Sequence, residues 1–268
     1  MPQSMHTPTP AARRWHALLA PLEELARADR QIEQDGIGQV DDATGRWPLL
    51  RFVFRGPSAE VLPLRLGLFA VVHGDEPAGA LAIFQLLRQL ASCPEAARGM
   101  DLFCYPVCNP VGLTAGTRHN GAGVDLNREF WRGSSQPEVR VLEHELMAQA
   151  FDGIVALHAD NDSAGLYAFA RGAVIVQELV EPALRAAETV CRRNRDVAID
   201  GFEASNGVIR EWYPGVLAPP QSQTPAPFEI VLETPGLLPL GEQAEAARKA
   251  VRGLLAALPR LQSVAAGI

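Results

Sequence analysis

The tetrapeptide His73-Gly74-Asp75-Glu76 follows the apolar run RLGLFAVV (65–72), and its outer residues offer an imidazole nitrogen and a carboxylate oxygen. Zinc accepts both donor types, and a catalytic zinc takes three protein ligands and keeps one position open for water. A short turn at a strand end can aim both side chains into one pocket. Gly74 permits the tight backbone, and Pro77 suits the first turn of a helix. The HxxE spacing alone is common and is equally at home in a solvated helix cap. A third ligand must come from elsewhere. Of the six histidines, His6 and His16 lie in the N-terminal segment, His119 in a flexible loop, and His144 between two glutamates on a helix. Only His158 leaves a buried run, GIVAL, as His73 does, which completes a His2Glu set.

Such a site needs a base. Glu233 ends the apolar run FEIVL, so a third strand brings a carboxylate to the same edge, where it can take a proton from water and return it to a leaving amine. In GVDLNREF (123–130), Asp125 can accept a hydrogen bond from a ligand histidine and fix its ring. Asn127 and Arg128 offer amide and guanidinium donors suited to a carboxylate. Arg118, in the preceding loop, can stabilise a developing oxyanion.

The elements that must position these residues follow from hydrophobic periodicity. Apolar residues at helical spacing predict a helix over 11–34, ended by Gly36 and Gly38, as an N-terminal helical extension reaching about residue 45. Strands are expected at 49–56, from about Leu62 through 72, and at 101–107, 151–160, 165–170 and 228–233. Helices are expected at 80–90, 136–150, 173–194 with a break at Pro182, and 240–262. Five prolines make 214–227 a loop. Strands alternating with helices imply an α/β sheet covered by helices, with a ligand site beyond the strand ends.

Composition narrows the functional classes. With 268 residues, 47% of them hydrophobic, the chain suits one globular domain spanning 1–268. A formal charge of −7 argues against nucleic acid as a partner, since phosphate binding needs a basic face. No apolar run reaches the roughly 18–20 residues that span a bilayer, so no membrane partner is expected. The four cysteines have no CxxC spacing, and Cys104 and Cys108 flank a buried strand end. With no export signal at the N-terminus, they point to a reducing cytoplasm.

The stretches HGDE (73–76), GVDLNR (123–128), ALHAD (156–160) and VLETPG (231–236) occur in an order that resembles the zinc carboxypeptidase superfamily, which includes aspartoacylase and succinylglutamate desuccinylase. The resemblance implies a three-layer α/β/α sandwich around a mixed, largely parallel sheet, and one zinc ion per chain. It matches His73, Glu76 and His158 to the metal ligands, Glu233 to the general base and Asp125 to the partner of the first histidine. Asn127 and Arg128 match the residues that hold the substrate's carboxylate. Tyr213 lies twenty residues before Glu233, near where carboxypeptidases carry a substrate-capping tyrosine, although its WYPG context departs from their pattern and Trp212 is an alternative. Arg118 is nine residues before Asn127, closer than in digestive carboxypeptidases and nearer to the compact bacterial and deacylase branches.

Both branches hydrolyse an amide beside a carboxylate, one in a short peptide and the other in an N-acyl amino acid. Only 35 residues follow Glu233, which favours a compact metallocarboxypeptidase over the deacylases with their extra domain. A relative that binds zinc or a carboxylate without turnover is the alternative of another class, and a complete ligand set beside Glu233 argues against it.

Overall fold

The protein is described by a computed structural model over residues 10–43, 45–59 and 62–266. His6 and the start of the N-terminal segment lie outside the described residues. Chain order begins with α1 (Pro10–Ala28), β1 (Ile32–Asp42), β2 (Gly45–Arg55), β3 (Leu64–Ala70), α2 (Ala78–Ser92) and β4 (Met100–Tyr105). It continues with α3 (Pro110–Ala115), α4 (Pro137–Gln149), β5 (Gly153–Asp160), β6 (Tyr167–Ala170), α5 (Ala173–Ile175) and α6 (Glu181–Ala187). Three short strands follow, β7 (Ala198–Ile199), β8 (Phe202–Ser205) and β9 (Val208–Ile209), then β10 (Phe228–Pro235) and α7 (Leu240–Ala266). No helix among the described residues is long and apolar enough to cross a membrane.

The ten strands form one mixed sheet in the order β1-β2-β4-β3-β5-β10-β6-β9-β8-β7. Its centre, β4-β3-β5-β10, is parallel. The flanks are mainly antiparallel, which makes the sheet mixed, as expected, with its parallel part in the middle. Alternation of side chains divides the central strands between two apolar layers. Val155 and Leu157 of β5 face a core shared with α1, α2, α6 and α7. Ile154 faces a second core with Phe69, Tyr105, Phe151 and the α4 residues Val139, Leu142 and Leu146. Helices therefore cover both faces.

Three expectations need correction. The first helix ends at Ala28, and Ile32, placed on that helix by its spacing, opens the edge strand β1. Asp29 makes the break, its carboxylate accepting from the Gln31 N–H at 2.9 Å. The extension is thus a helix plus a strand of the main sheet. Pro182 does not interrupt its helix, because a π turn over Val176–Val180 precedes it, and such a wide turn accommodates a residue lacking the N–H. That helix stops at Ala187 and not near 194, where the chain turns extended and Leu166 pairs with Arg193. The strands β7 to β9 have no counterpart in the periodicity, being too short to show one.

Candidate metal centre and active site

β3 ends at Ala70, and the two residues after it set the direction of His73. Val71 has a φ of 54°, in the left-handed region that a β-branched residue rarely enters. The turn is held from outside, since the N–H groups of Cys108 and Asn109 donate to the carbonyls of Ala70 and Val71 at 3.0 and 2.8 Å. Asn109 is fully buried, and its amide donates to the Val72 and Arg118 carbonyls at 3.2 and 3.3 Å. This asparagine, unassigned from sequence, ties the turn before His73 to the loop carrying Arg118. Gly74 lies so close to α3 that a Cβ there would sit 2.0 Å from the Gly112 carbonyl carbon.

His73, Glu76 and His158 are buried and offer ligand atoms that all lie within 4.8 Å of one another. His73 Nδ1 is 2.7 Å from Glu76 Oε1 and 3.2 Å from His158 Nδ1, which is 2.8 Å from Glu76 Oε2. The far nitrogen of His73, Nε2, reaches Asp125 Oδ1 at 3.3 Å. Both ring nitrogens thus face carboxylates, which only accept; with a cation between the three side chains, Nδ1 would present its lone pair to it while Nε2–H donates to Asp125. Two imidazole nitrogens and a carboxylate converging in this way suit a cation between them, and the donor set is that of zinc. Burial pushes His73 down, but hydrogen bonds to Asp125 and Glu76 outweigh it and leave its pKa raised. Burial lowers His158 despite Glu76. For Glu76, burial acts upward, and the two histidines overcome it and bring it to about 2.

Glu233 stands beside His158 in the parallel register of β10 and β5, and beside Tyr167 in the antiparallel register of β10 and β6. Its pKa is raised well above the usual carboxylate range, first by burial and then by the negative charges of Glu76, Asp160 and Asp200. Arg118 opposes that rise. Arg118 approaches Asp125 at 3.2 Å and Glu76 at 3.6 Å. Asp125 is held well below its ordinary value, burial being outweighed by the His73 hydrogen bond and by Arg118 and Arg128. Asn127 Oδ1 accepts from the Leu217 N–H at 2.9 Å, which fastens the 212–217 loop to the 126–128 turn. Arg128 stacks over Tyr213 at 4.3 Å and donates to the Asn127 carbonyl.

A cavity of about 300 Å³ joins these groups, lined by His73, Glu76, Arg118, Asn127, Arg128 and Glu233. Both Trp212 and Tyr213 also line it. The Tyr213 hydroxyl donates to the Asp200 carbonyl at 3.0 Å. Asp125 touches His73 from behind the cavity. Every residue singled out in the sequence is therefore at or against this cavity, while His16, His119 and His144 are exposed elsewhere. Asp160, Tyr167 and Asp200 were missed as lining residues. Asp160 sits two residues past His158, on the same face of β5. Asp200-Gly201, both with positive φ, form the two-residue turn of the β7–β8 hairpin, and Asn206-Gly207 repeat it between β8 and β9. Asp-Gly and Asn-Gly are the strongest short hairpin signals, so this wall of the cavity was legible in principle.

Residues 64–190 match the family model of the succinylglutamate desuccinylase/aspartoacylase catalytic domain. No curated protein sequence matches the chain. Among solved structures, a candidate metallopeptidase from Shewanella denitrificans OS217 has a TM-score of 0.73 at 22% identity, over 90% of this chain and 89% of that one. A metallo-carboxypeptidase from Pseudomonas aeruginosa, in complex with (2-guanidinoethylmercapto)succinic acid, has 0.65 at 18% identity, over 93% and 70%. The murein-tripeptide amidase MpaA from Escherichia coli O157 has 0.53 at 21% identity, over 83% and 91%. These likenesses establish the shared fold. The family model covers somewhat less than half of the chain, and within it residues 64–190 are similar to that catalytic domain. The segment matching the desuccinylase/aspartoacylase domain contains His73, Glu76, Asp125 and His158.

Proposed function

We propose that the protein is a zinc-dependent hydrolase that cleaves an amide bond next to a free carboxylate, acting on short peptides. The observation that carries this reading is the placement of Glu233 directly beside His158 in strand register, in one cavity with the His73–Glu76–His158 set. His73 Nδ1, His158 Nδ1 and the Glu76 carboxylate would hold the metal. Zinc at such a site activates water and polarises a carbonyl.

The chain's own groups supply the rest. Glu233 takes a proton from the attacking water on a carboxylate oxygen and passes it to the leaving nitrogen as the C–N bond breaks. Its upward-shifted pKa suits this, because a more basic carboxylate takes up the proton more readily. Arg118 lies beside Glu76 and can offer its guanidinium to negative charge developing on the carbonyl oxygen. Asn127 uses its side-chain oxygen on Leu217, which leaves its amide N–H groups for a substrate carboxylate. Arg128 has its guanidinium over Tyr213 at the same wall and can add a charge-assisted contact.

The family match over residues 64–190 favours a second reading within the same chemistry, hydrolysis of N-acyl amino acids. Mass-spectrometric screening of dipeptides, muropeptides and N-acyl amino acids separates the two. Glu233→Gln tests the shared mechanism: kcat is expected to fall by about 10³-fold with zinc still bound at one per chain. His73→Ala is expected to lose metal. Full activity in the Glu233→Gln protein, or undiminished metal binding without His73, would overturn the assignment.

A further inference from the structure

The loop from Arg118 to Asp125 delivers two residues to the metal ligands and has little of its own to hold it. Arg118 and Asp125 meet at 3.2 Å, and through them the loop reaches Glu76 at 3.6 Å and His73 at 3.3 Å. It runs between α3 and the Leu126–Arg128 turn without helix or strand, and Gly121, Ala122 and Gly123 in its middle are exposed. Residues of this kind offer no side chain that could fix a conformation, and Gly123, with a φ of 75°, adds backbone freedom. Among the described residues of this loop, only Asn120 is buried.

Asn120 binds in two directions. Its side-chain oxygen accepts from the Ala122 and Val124 N–H groups, each at 3.0 Å. Its backbone N–H donates to the Val124 carbonyl, and its carbonyl accepts from the Gly123 N–H, both at 3.0 Å. The loop is thereby wound around one side chain. The amide nitrogen of that side chain donates outward, to Gln136 Oε1 at 2.7 Å, and reaches both carboxylate oxygens of Glu138 at 3.4 and 3.5 Å. Gln136 and Glu138 stand at the start of α4, which is fixed in the core by Val139, Leu142 and Leu146. Glu138 is itself buried, and the bonds from its own N–H and from Asn120 oppose the rise that burial imposes on its carboxyl. A buried amide whose oxygen and nitrogen are both spent inside the protein holds its surroundings to one geometry.

We infer that Asn120 is a positioning residue of the metal centre: it fastens the loop to α4 so that Asp125 faces His73 and Arg118 faces Glu76. The part of Arg118 toward substrate rests on the hydrolase reading; the hold on His73 rests only on the metal ligands.

Cobalt(II) bound in place of zinc reads the geometry at His73 through its visible absorption, with no turnover. Asn120→Asp keeps an oxygen for Ala122 and Val124, removes the donors to Gln136 and Glu138, and sets a second carboxylate against Glu138. It is expected to weaken cobalt binding by about tenfold, as loss of a partner behind a metal ligand does, and to alter the absorption band. Adding Glu138→Gln supplies an amide donor to the new carboxylate, and should restore the affinity to within about twofold and the band with it. If Asn120→Asp does not fold, Gln136→Ala reads the same hold at a half-buried partner, with a smaller loss of cobalt affinity expected. A merely structural asparagine would lower Tm in these variants and leave the cobalt affinity and spectrum of the folded protein unchanged, which would overturn the inference. So would a loss in Asn120→Asp that Glu138→Gln leaves in place. Unaltered protein that binds cobalt, shows these contrasts and cleaves no amide would count against the hydrolase reading alone.

Discussion

At the scale of single residues, Glu233 is the proposed base. Its neighbours raise its pKa through burial and through the charges of Glu76, Asp160 and Asp200. A base must be ionised to accept a proton, so activity falls as pH drops through that raised value. The acid limb of kcat/KM is therefore expected above the ordinary carboxylate range. Asp160→Asn removes one of the like charges, which favours the ionised form and moves the limb to lower pH. Profiles of kcat/KM against pH for both proteins check the sign, and a limb that stays fixed or moves up in the variant would count against Glu233 as the base. Asp125 acts differently, through the orientation of His73 Nε2 at 3.3 Å.

Among the secondary-structure elements, the turn after β3 and the strand β10 carry separate demands. A side chain at Gly74 meets the backbone of Gly112 and Leu113, which cannot yield as a flexible side chain can. Gly74→Ala is expected to destabilise the protein by about 1–3 kcal/mol, and to weaken zinc binding more than an alanine at an exposed glycine such as Gly241 does. Denaturant unfolding and metal titration measure the two effects. On β10, Glu229 has a buried carboxylate oxygen without a hydrogen-bond partner, and burial, opposed by Arg171, raises its pKa to about 7. The folded state therefore favours the protonated form. Its stabilising contribution is whole below the unfolded pKa near 4.5 and is lost as pH rises toward about 7. Glu229→Gln should abolish that slope and stabilise the protein at pH 8 by up to about 3 kcal/mol, seen by denaturant unfolding at pH 5 and pH 8.

The sequence exposed the parts whose signal is periodic or apolar. β3, β5 and β10 are continuous hydrophobic runs because both their faces are covered, and His73 follows the first while His158 and Glu233 lie near the ends of the other two. Ile32 misled because one apolar residue fits helix and strand spacing alike, and the Asp29 turn decides between them. The π turn was invisible, since it depends on how the backbone absorbs Pro182. Asn109 joins the Val72 and Arg118 carbonyls, which lie on opposite sides of it in sequence and which no spacing announces.

The whole molecule brings its ligands from two strand ends that meet only when the parallel centre of the sheet is assembled. Metal binding should therefore stabilise the fold as a unit. Removing zinc with a chelator is expected to lower Tm, and restoring it to recover Tm with a dependence on free zinc that follows ligand linkage. A Tm indifferent to zinc would mean that the three side chains do not bind it in the native state.

The paired hairpin tips at Asp200-Gly201 and Asn206-Gly207 give this architecture a division of labour. The strand ends that carry His158 and Glu233 are locked by neighbours on both sides, so a slip there disturbs the core. The hairpins lie at the far margin of the sheet, and the Asp200-Gly201 turn needs only two residues able to adopt positive φ, with open space around Gly201. Exchanges at Asp200 can reshape one wall of the cavity while the register beneath His158 and Glu233 stays as it is. A lineage built on this frame can thus change which molecules it accepts within a few substitutions and leave the bond-breaking apparatus untouched.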